Sequence, residues 1–102
     1  MVKTALYDEM GGLDEENFAV AYNDIDLCLK LWKKGLTNVF TPYAEACHYE
    51  SKSRGLDTLS ENARRYEGEK ARFIAKYGDM IAAGDPYYNR HFNLLFENYG
   101  LK

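Results

Sequence analysis

Apolar residues recur at helical spacing in one short stretch and one long one. Ile25, Cys28, Leu29 and Trp32 fall at i, i+3, i+4 and i+7, the stripe of an amphipathic helix. Leu27 and Leu31 widen the stripe, so the pattern predicts a helix over 24–34 that is buried on more than one side. Asn23 stands where a cap belongs, with Asp26 three residues on, close to capping-box spacing. Lys33 and Lys34 suit the negative end of the helix dipole, and Gly35 stops the helix. The longer pattern puts Leu59, Ala63, Tyr66, Phe73 and Tyr77 on one face of a helix over 59–77, with Lys70 interrupting it. Thr58 and Glu61 have capping-box spacing, and Glu61 and Arg65 that of an i,i+4 ion pair. Gly78 is expected to close this helix, with one further turn over 79–83. Residues 2–10 read as a short helix ended by Gly11-Gly12, and 13–21 as an acidic loop with Phe18, Val20 and Tyr22 as packing points.

Two segments read as strands: 38–41, stopped by Pro42, and 44–49. Their link is too short for a crossover, which predicts a hairpin or a bent edge. A turn at Gly84-Asp85-Pro86 opens an aromatic tail. The expected fold class is α+β, mostly helical, with three main helices and a short two-stranded element in a single domain, 1–102. Two strands alone do not make a stable sheet, so they either extend a sheet whose other strands lie elsewhere or pair between chains.

Composition narrows the function classes. Hydrophobic residues make up 46% of the chain and aromatics 15%, enough for a small globular core. Nine tyrosines suit half-buried positions, clefts and interfaces included. A net charge of -3 speaks against general nucleic-acid affinity, which needs a basic face. No apolar run approaches the roughly 18 residues that span a bilayer. Residues 1–9 lack the shape of a signal peptide, so a cytoplasmic location is expected. Cys28 and Cys47 form no CxxC pair and read as reduced, packed thiols.

Four places could carry chemistry. Asp24 lies in the first turn of the 24–34 helix, where the dipole keeps a carboxylate ionised and able to take a proton from a hydroxyl; it could equally do no more than complement the dipole. Asp26, two residues on, points about 200° away around the helix. It therefore reads as a cap partner or an i,i+4 partner of Lys30 rather than half of a carboxylate pair. His48 lies in the apolar-flanked segment Ala46-Cys47-His48-Tyr49, and one histidine does not hold a metal. Ser51, Lys52, Ser53 and Arg54 make a hydroxyl-rich basic loop suited to phosphate or to solvent. No GxxxxGK[ST] or GxGxxG cradle is present.

In their order these segments resemble family 2 glycosyltransferases. Gly11-Gly12-Leu13-Asp14-Glu15 is similar to that family's GG-[FL]-DE segment. Asn23-Asp24-Ile25-Asp26-Leu27-Cys28-Leu29-Lys30-Leu31 resembles its [EN]-D-x-D-L-x-x-R-x helix. Gly35 and Thr41-Pro42-Tyr43-Ala44 resemble the turn and strand that follow. His48-Tyr49-Glu50-Ser51-Lys52-Ser53-Arg54-Gly55 resembles the H-x-E-S-x-S-R-G loop of one bacterial subgroup, and Asp85-Pro86-Tyr87-Tyr88-Asn89 that subgroup's tail. Together they cover about residues 5–90.

The resemblance implies the C-terminal, acceptor-side segment of a GT-A type α/β fold. It implies inverting transfer of a sugar from a nucleotide-sugar donor to a hydroxyl of a glycan, lipid or protein acceptor. Asp24 would be the general base, with Asn23 standing where the family commonly has Glu. Asn23, Ser51 and Arg54 would bind substrate, and His48 would be a metal ligand. Mg2+ or Mn2+ would serve the full-length parent. The family's Asp-x-Asp motif belongs to a nucleotide-binding half that these residues do not include. The chain alone is thus expected to bind no cofactor, to be inactive, and to cover its open surfaces by forming a homodimer. Two other readings stand beside this one: a non-enzymatic helical interaction module using the Tyr-rich tail, and a phosphate-binding regulatory module built on 51–54.

Overall fold

The structure, a computed structural model, describes residues 1–49, 60–96 and 98–102. Three helices follow one another: α1 (Thr4–Glu9), α2 (Asn23–Lys33) and α3 (Ser60–Ala83). Helix α1 ends where the glycine pair predicts. Gly11 and Gly12 have φ of +80° and +68°, a region that side-chain-bearing residues rarely enter. Gly12 is required a second time, because a Cβ there would sit 3.0 Å from the Tyr7 ring. The carbonyls of Met10 and Gly12 accept hydrogen bonds from Lys30 Nζ at 3.3 and 2.7 Å, which ties this turn to α2.

Helix α2 starts differently from the expectation. Asn23 is its first residue rather than its cap, and Tyr22 precedes it in the left-handed conformation with φ of 65°. The Asn23 side chain turns back and donates to the Val20 carbonyl at 3.2 Å. Gly35, at φ +91°, stops the helix as predicted.

The buried side of α2 is not the apolar stripe. Ile25 and Trp32 are 46% and 39% exposed, and Cys28 is exposed, whereas the buried residues are Asp26 and Leu31. Helix α3 binds the Asp26 side of α2 through Tyr77 and Lys76, which leaves the stripe open. Cys47 is exposed too, so neither thiol is packed.

Helix α3 carries the core. Phe18 and Tyr77 are each 1% exposed. Tyr22 stacks on Phe73 at 4.8 Å, with Phe18 edge-on to Phe73 at 6.0 Å and Tyr77 at 5.0 Å from it. Tyr66, Phe73 and Tyr77 share the predicted face, and Lys70 is exposed; Thr58 and Leu59 lie outside the described residues. Gly78 does not close the helix. The backbone kinks at Tyr77 (φ -118°, ψ 17°), resumes through the turn expected over 79–83, and stops at Gly84 with φ +84°.

The strands predicted at 38–41 and 44–49 are not formed: no strand is present among the described residues. Val39, Phe40 and Tyr43 are 79%, 91% and 95% exposed, so these three side chains cover no apolar surface. One antiparallel bridge, Phe92 to Leu101, occurs in the tail instead, beside the clustered rings of Tyr88, Phe92 and Tyr99.

Candidate functional site

The start of α2 is held from α3 at two points, and Asp24 lies between them. Below it, Glu69 is wholly buried. One of its carboxylate oxygens accepts the Val20 N–H at 2.9 Å, the other the Ala21 N–H at 3.0 Å. Arg65, one turn earlier on α3, donates to the same carboxylate at 2.8 Å and compensates its charge. Tyr22 follows at once, its hydroxyl 2.8 Å from that of Tyr66. Burial, and then the bond to Tyr66, push the Tyr22 phenol up to about 12.

Above it, Asp26 is also wholly buried. It accepts hydrogen bonds from the Tyr77 hydroxyl and from Lys76 Nζ, each at 2.6 Å, and lies 3.6 Å from Lys30 Nζ. The i,i+4 partnership with Lys30 is thus formed as the spacing predicts. Burial, and then the bond to Asp26, hold the Tyr77 phenol well above its usual range. Asp26 is structural: its carboxylate is shut off from solvent and surrounded by cations and a hydroxyl.

Asp24 differs. It is exposed, and one carboxylate oxygen accepts the Ile25 N–H at 2.8 Å. The two acids point to opposite sides of the helix, as their two-residue spacing requires. Asp24 can therefore take a proton from a solvent-side hydroxyl while its backbone is held by the buried contacts on either side.

A shallow depression of about 290 Å3 opens beside α2, lined by Gly11, Leu13, Asp14, Glu15, Glu16 and Lys30. Asp14 is occupied within its own turn: its oxygens accept the Asn17 side-chain amide at 2.9 Å and the Asn17 N–H at 3.1 Å. Those two bonds hold its carboxyl below the usual carboxylate range.

The other predicted site residues are not brought to Asp24 by the described structure. Asn23 is used up in the turn onto Val20. His48 is exposed in an irregular segment rather than in a strand. Ser51 and Arg54 lie outside the described residues. No group of three or more His, Cys, Asp or Glu able to hold a metal ion occurs among the described residues. Sequence reading missed Glu69. The available signal was a carboxylate at i+3 from Tyr66 and i-4 from Phe73, inside the aromatic stripe, where an unpaired acid would be costly.

No helix among the described residues is long and apolar enough to cross a membrane. No protein-family model matches the chain, and no solved structure does. Sequence relatives exist among larger proteins. The chain is 39% identical over 89 residues to an uncharacterised protein of Sinorhizobium fredii, across 87% of this chain and 10% of that one. It is 33% identical over 103 residues to the O-antigen biosynthesis protein RfbC of Myxococcus xanthus, across 100% of this chain and 8% of the relative. It is also 33% identical over 67 residues to an N-acetylglucosaminyl-diphospho-decaprenol L-rhamnosyltransferase of Mycobacterium tuberculosis, across 66% of this chain and 22% of the relative. The chain thus spans a tenth or less of the first two relatives and under a quarter of the third. It is related to a segment of larger proteins, one of them named as a glycosyltransferase.

Proposed function

We propose that this chain is the acceptor-side part of the catalytic domain of an inverting glycosyltransferase of the GT-A type. The parent would move a sugar from a nucleotide-sugar to the hydroxyl of a glycan, lipid or protein acceptor. One observation carries the reading: in a segment related to a named rhamnosyltransferase, Asp24 is the exposed acid of the Asp-x-Asp pair, at a helix start clamped by buried contacts. As the acceptor oxygen bonds to the anomeric carbon, its proton passes to the Asp24 carboxylate and the nucleoside diphosphate departs with the bonding pair. His48, Ser51 and Arg54 would stand on the diphosphate side. His48 would be one ligand of the Mg2+ or Mn2+ of the full-length parent, the others coming from residues beyond those described, and the ion would offset the charge of the diphosphate. Without that half, the chain is expected to turn over no donor.

The exposed stripe on α2 belongs to the same reading. Ile25 and Trp32 form an exposed apolar side of α2 that the nucleotide-binding half would cover. In the isolated chain a second copy would cover it, giving a homodimer.

The deciding experiment uses a polypeptide joining this segment to a nucleotide-binding half. Asp24→Asn is expected to preserve donor affinity and cut turnover by about 10²–10⁴-fold, the usual worth of a positioned base. Near-normal turnover would overturn the assignment.

A further inference from the structure

We infer that Glu69 is the positioning residue for Asp24, holding the backbone before α2 from a distance of 48 and 49 residues along the chain. The catalytic consequence rests on the proposed role of Asp24, whereas the clamp itself is a matter of geometry.

Two successive amides, Val20 and Ala21, point at one buried side chain and use both of its oxygens, at 2.9 and 3.0 Å. A carboxylate is the side chain that meets this demand, since it offers acceptors only. A glutamine offers one oxygen and would set its NH2 against the second N–H. An aspartate is one methylene too short to reach both amides from the same Cα. Arg65 at 2.8 Å supplies the counter-charge that makes the burial tolerable.

The clamp fixes the residues that aim Asp24. Tyr22, the next residue, holds a left-handed backbone, a strained choice for a bulky side chain that persists only when its surroundings enforce it. Glu69 enforces it from the N-terminal side. The Tyr66 hydroxyl and the Phe73 ring hold the side chain, at 2.8 and 4.8 Å. The Tyr22 carbonyl then accepts the Asp26 N–H at 2.8 Å and opens the helix. Asp24 lies inside that first turn, so its carboxylate points where the turn at Tyr22 directs it. Relaxing Tyr22 to right-handed backbone would rotate the first turn of α2 relative to α3.

Amide spectra of the 102-residue chain test this. In the unaltered chain, Val20 and Ala21 are expected to exchange their amide hydrogens slowly; exchange as fast as that of exposed Ala19 would overturn the clamp. In Glu69→Gln both amides should lose protection. The Ile25 signal, which reports the Asp24 carboxylate it bonds, should shift. Asn17, held by Asp14, should keep its signal, which separates positioning from general loosening. Glu69→Asp should behave like Glu69→Gln. An unmoved Ile25 signal with protected Val20 and Ala21 in a folded Glu69→Gln would overturn the proposal. If that variant does not fold, Arg65→Gln is measured instead; it should speed exchange at the same two amides, and unchanged rates count against the clamp. In the joined polypeptide, Glu69→Gln should lower kcat by on the order of 10²-fold with donor KM unchanged. It should add no further loss on top of Asp24→Asn. Full additivity there overturns the positioning role, whereas a harmless Asp24→Asn overturns only the base assignment.

Discussion

The two sides of α2 have exchanged the places that hydropathy assigns them. The inner side buries Asp26 against a phenol and two lysines, and Leu31 is buried as well. The outer side leaves Ile25, Cys28 and Trp32 in contact with water. Burying a carboxylate is unfavourable unless every partner is in place, and each half-exposed apolar side chain forgoes about 25 cal/mol for every Å2 left uncovered. A helix that accepts both costs is suited to two neighbours. Helix α3 is the first, matched to the polar side. In the proposed function the second is the nucleotide-binding half, which would cover the outer side next to Asp24. The comparison separates a structural acid from an available one two residues apart.

The largest effects are expected from removing each acid in turn. Asp24→Asn should show its effect in turnover, about 10²–10⁴-fold in the joined polypeptide, while Asp24→Ala leaves the unfolding free energy from urea titration within about 0.5 kcal/mol of the original. Asp26→Ala should do the reverse. It strands the Tyr77 hydroxyl and takes the counter-charge from Lys76 and Lys30, and should cost about 3–5 kcal/mol of stability. A chain this small could fail to fold with that loss. Similar urea midpoints for the two alanine variants would erase the distinction between the inner and outer acid.

How much of this was legible depends on the range of the interaction. Gly11-Gly12, Gly35 and the aromatic spacing of Tyr66, Phe73 and Tyr77 act locally, and the helices they predict are present. The outward aim of Asp24 relative to Asp26 followed from helix geometry alone. The buried face did not, because periodicity shows that a helix has an apolar side without showing which neighbour the chain supplies. The strands at 38–41 and 44–49 failed for the same reason, since strand-like composition records a sheet only where partner strands exist. The Glu69 clamp spans 48 residues and leaves no local pattern beyond one acid in an aromatic stripe. The left-handed Tyr22 directly follows the two clamped amides and was illegible with them.

A smaller effect sharpens the picture of the inner side. The Tyr22 phenol is raised from 10.0 to about 12, so the folded chain keeps a proton that the unfolded chain has released. Stability is therefore full below pH 10 and falls as pH rises from 10 towards about 12, and the raised Tyr77 phenol acts in the same direction. Tyr22→Phe removes the hydroxyl bond to Tyr66 and should cost about 1 kcal/mol at neutral pH. It should also flatten part of the alkaline decline in urea midpoint. An alkaline decline as steep as in the original chain would show that the Tyr22 hydroxyl is not shielded in the fold.

The smallest expected effect on the folded monomer comes from the outer side, and it tests the missing neighbour. Ile25→Ser and Trp32→Gln replace side chains that are already 46% and 39% exposed, so each should change monomer stability by no more than about 0.5 kcal/mol. Their consequence should lie in association. The unaltered chain at micromolar concentration should scatter light as a dimer, because Ile25, Trp32, Leu36, Val39 and Phe40 make a strip of exposed apolar side chains along the sequence. The double variant should scatter as a monomer with the same helical content. If helix packing alone forms the dimer, Val39→Ser and Phe40→Ser leave it intact; if the extended segment exchanges between copies, they weaken it as much as the α2 changes do. A mass near 11.8 kDa for the unaltered chain would mean that the outer side is stable in water without a neighbour. The strip would then lose its place in the proposed fold of the parent, and the contrast between the two sides of α2 would reduce to one between a buried network and an ordinary surface.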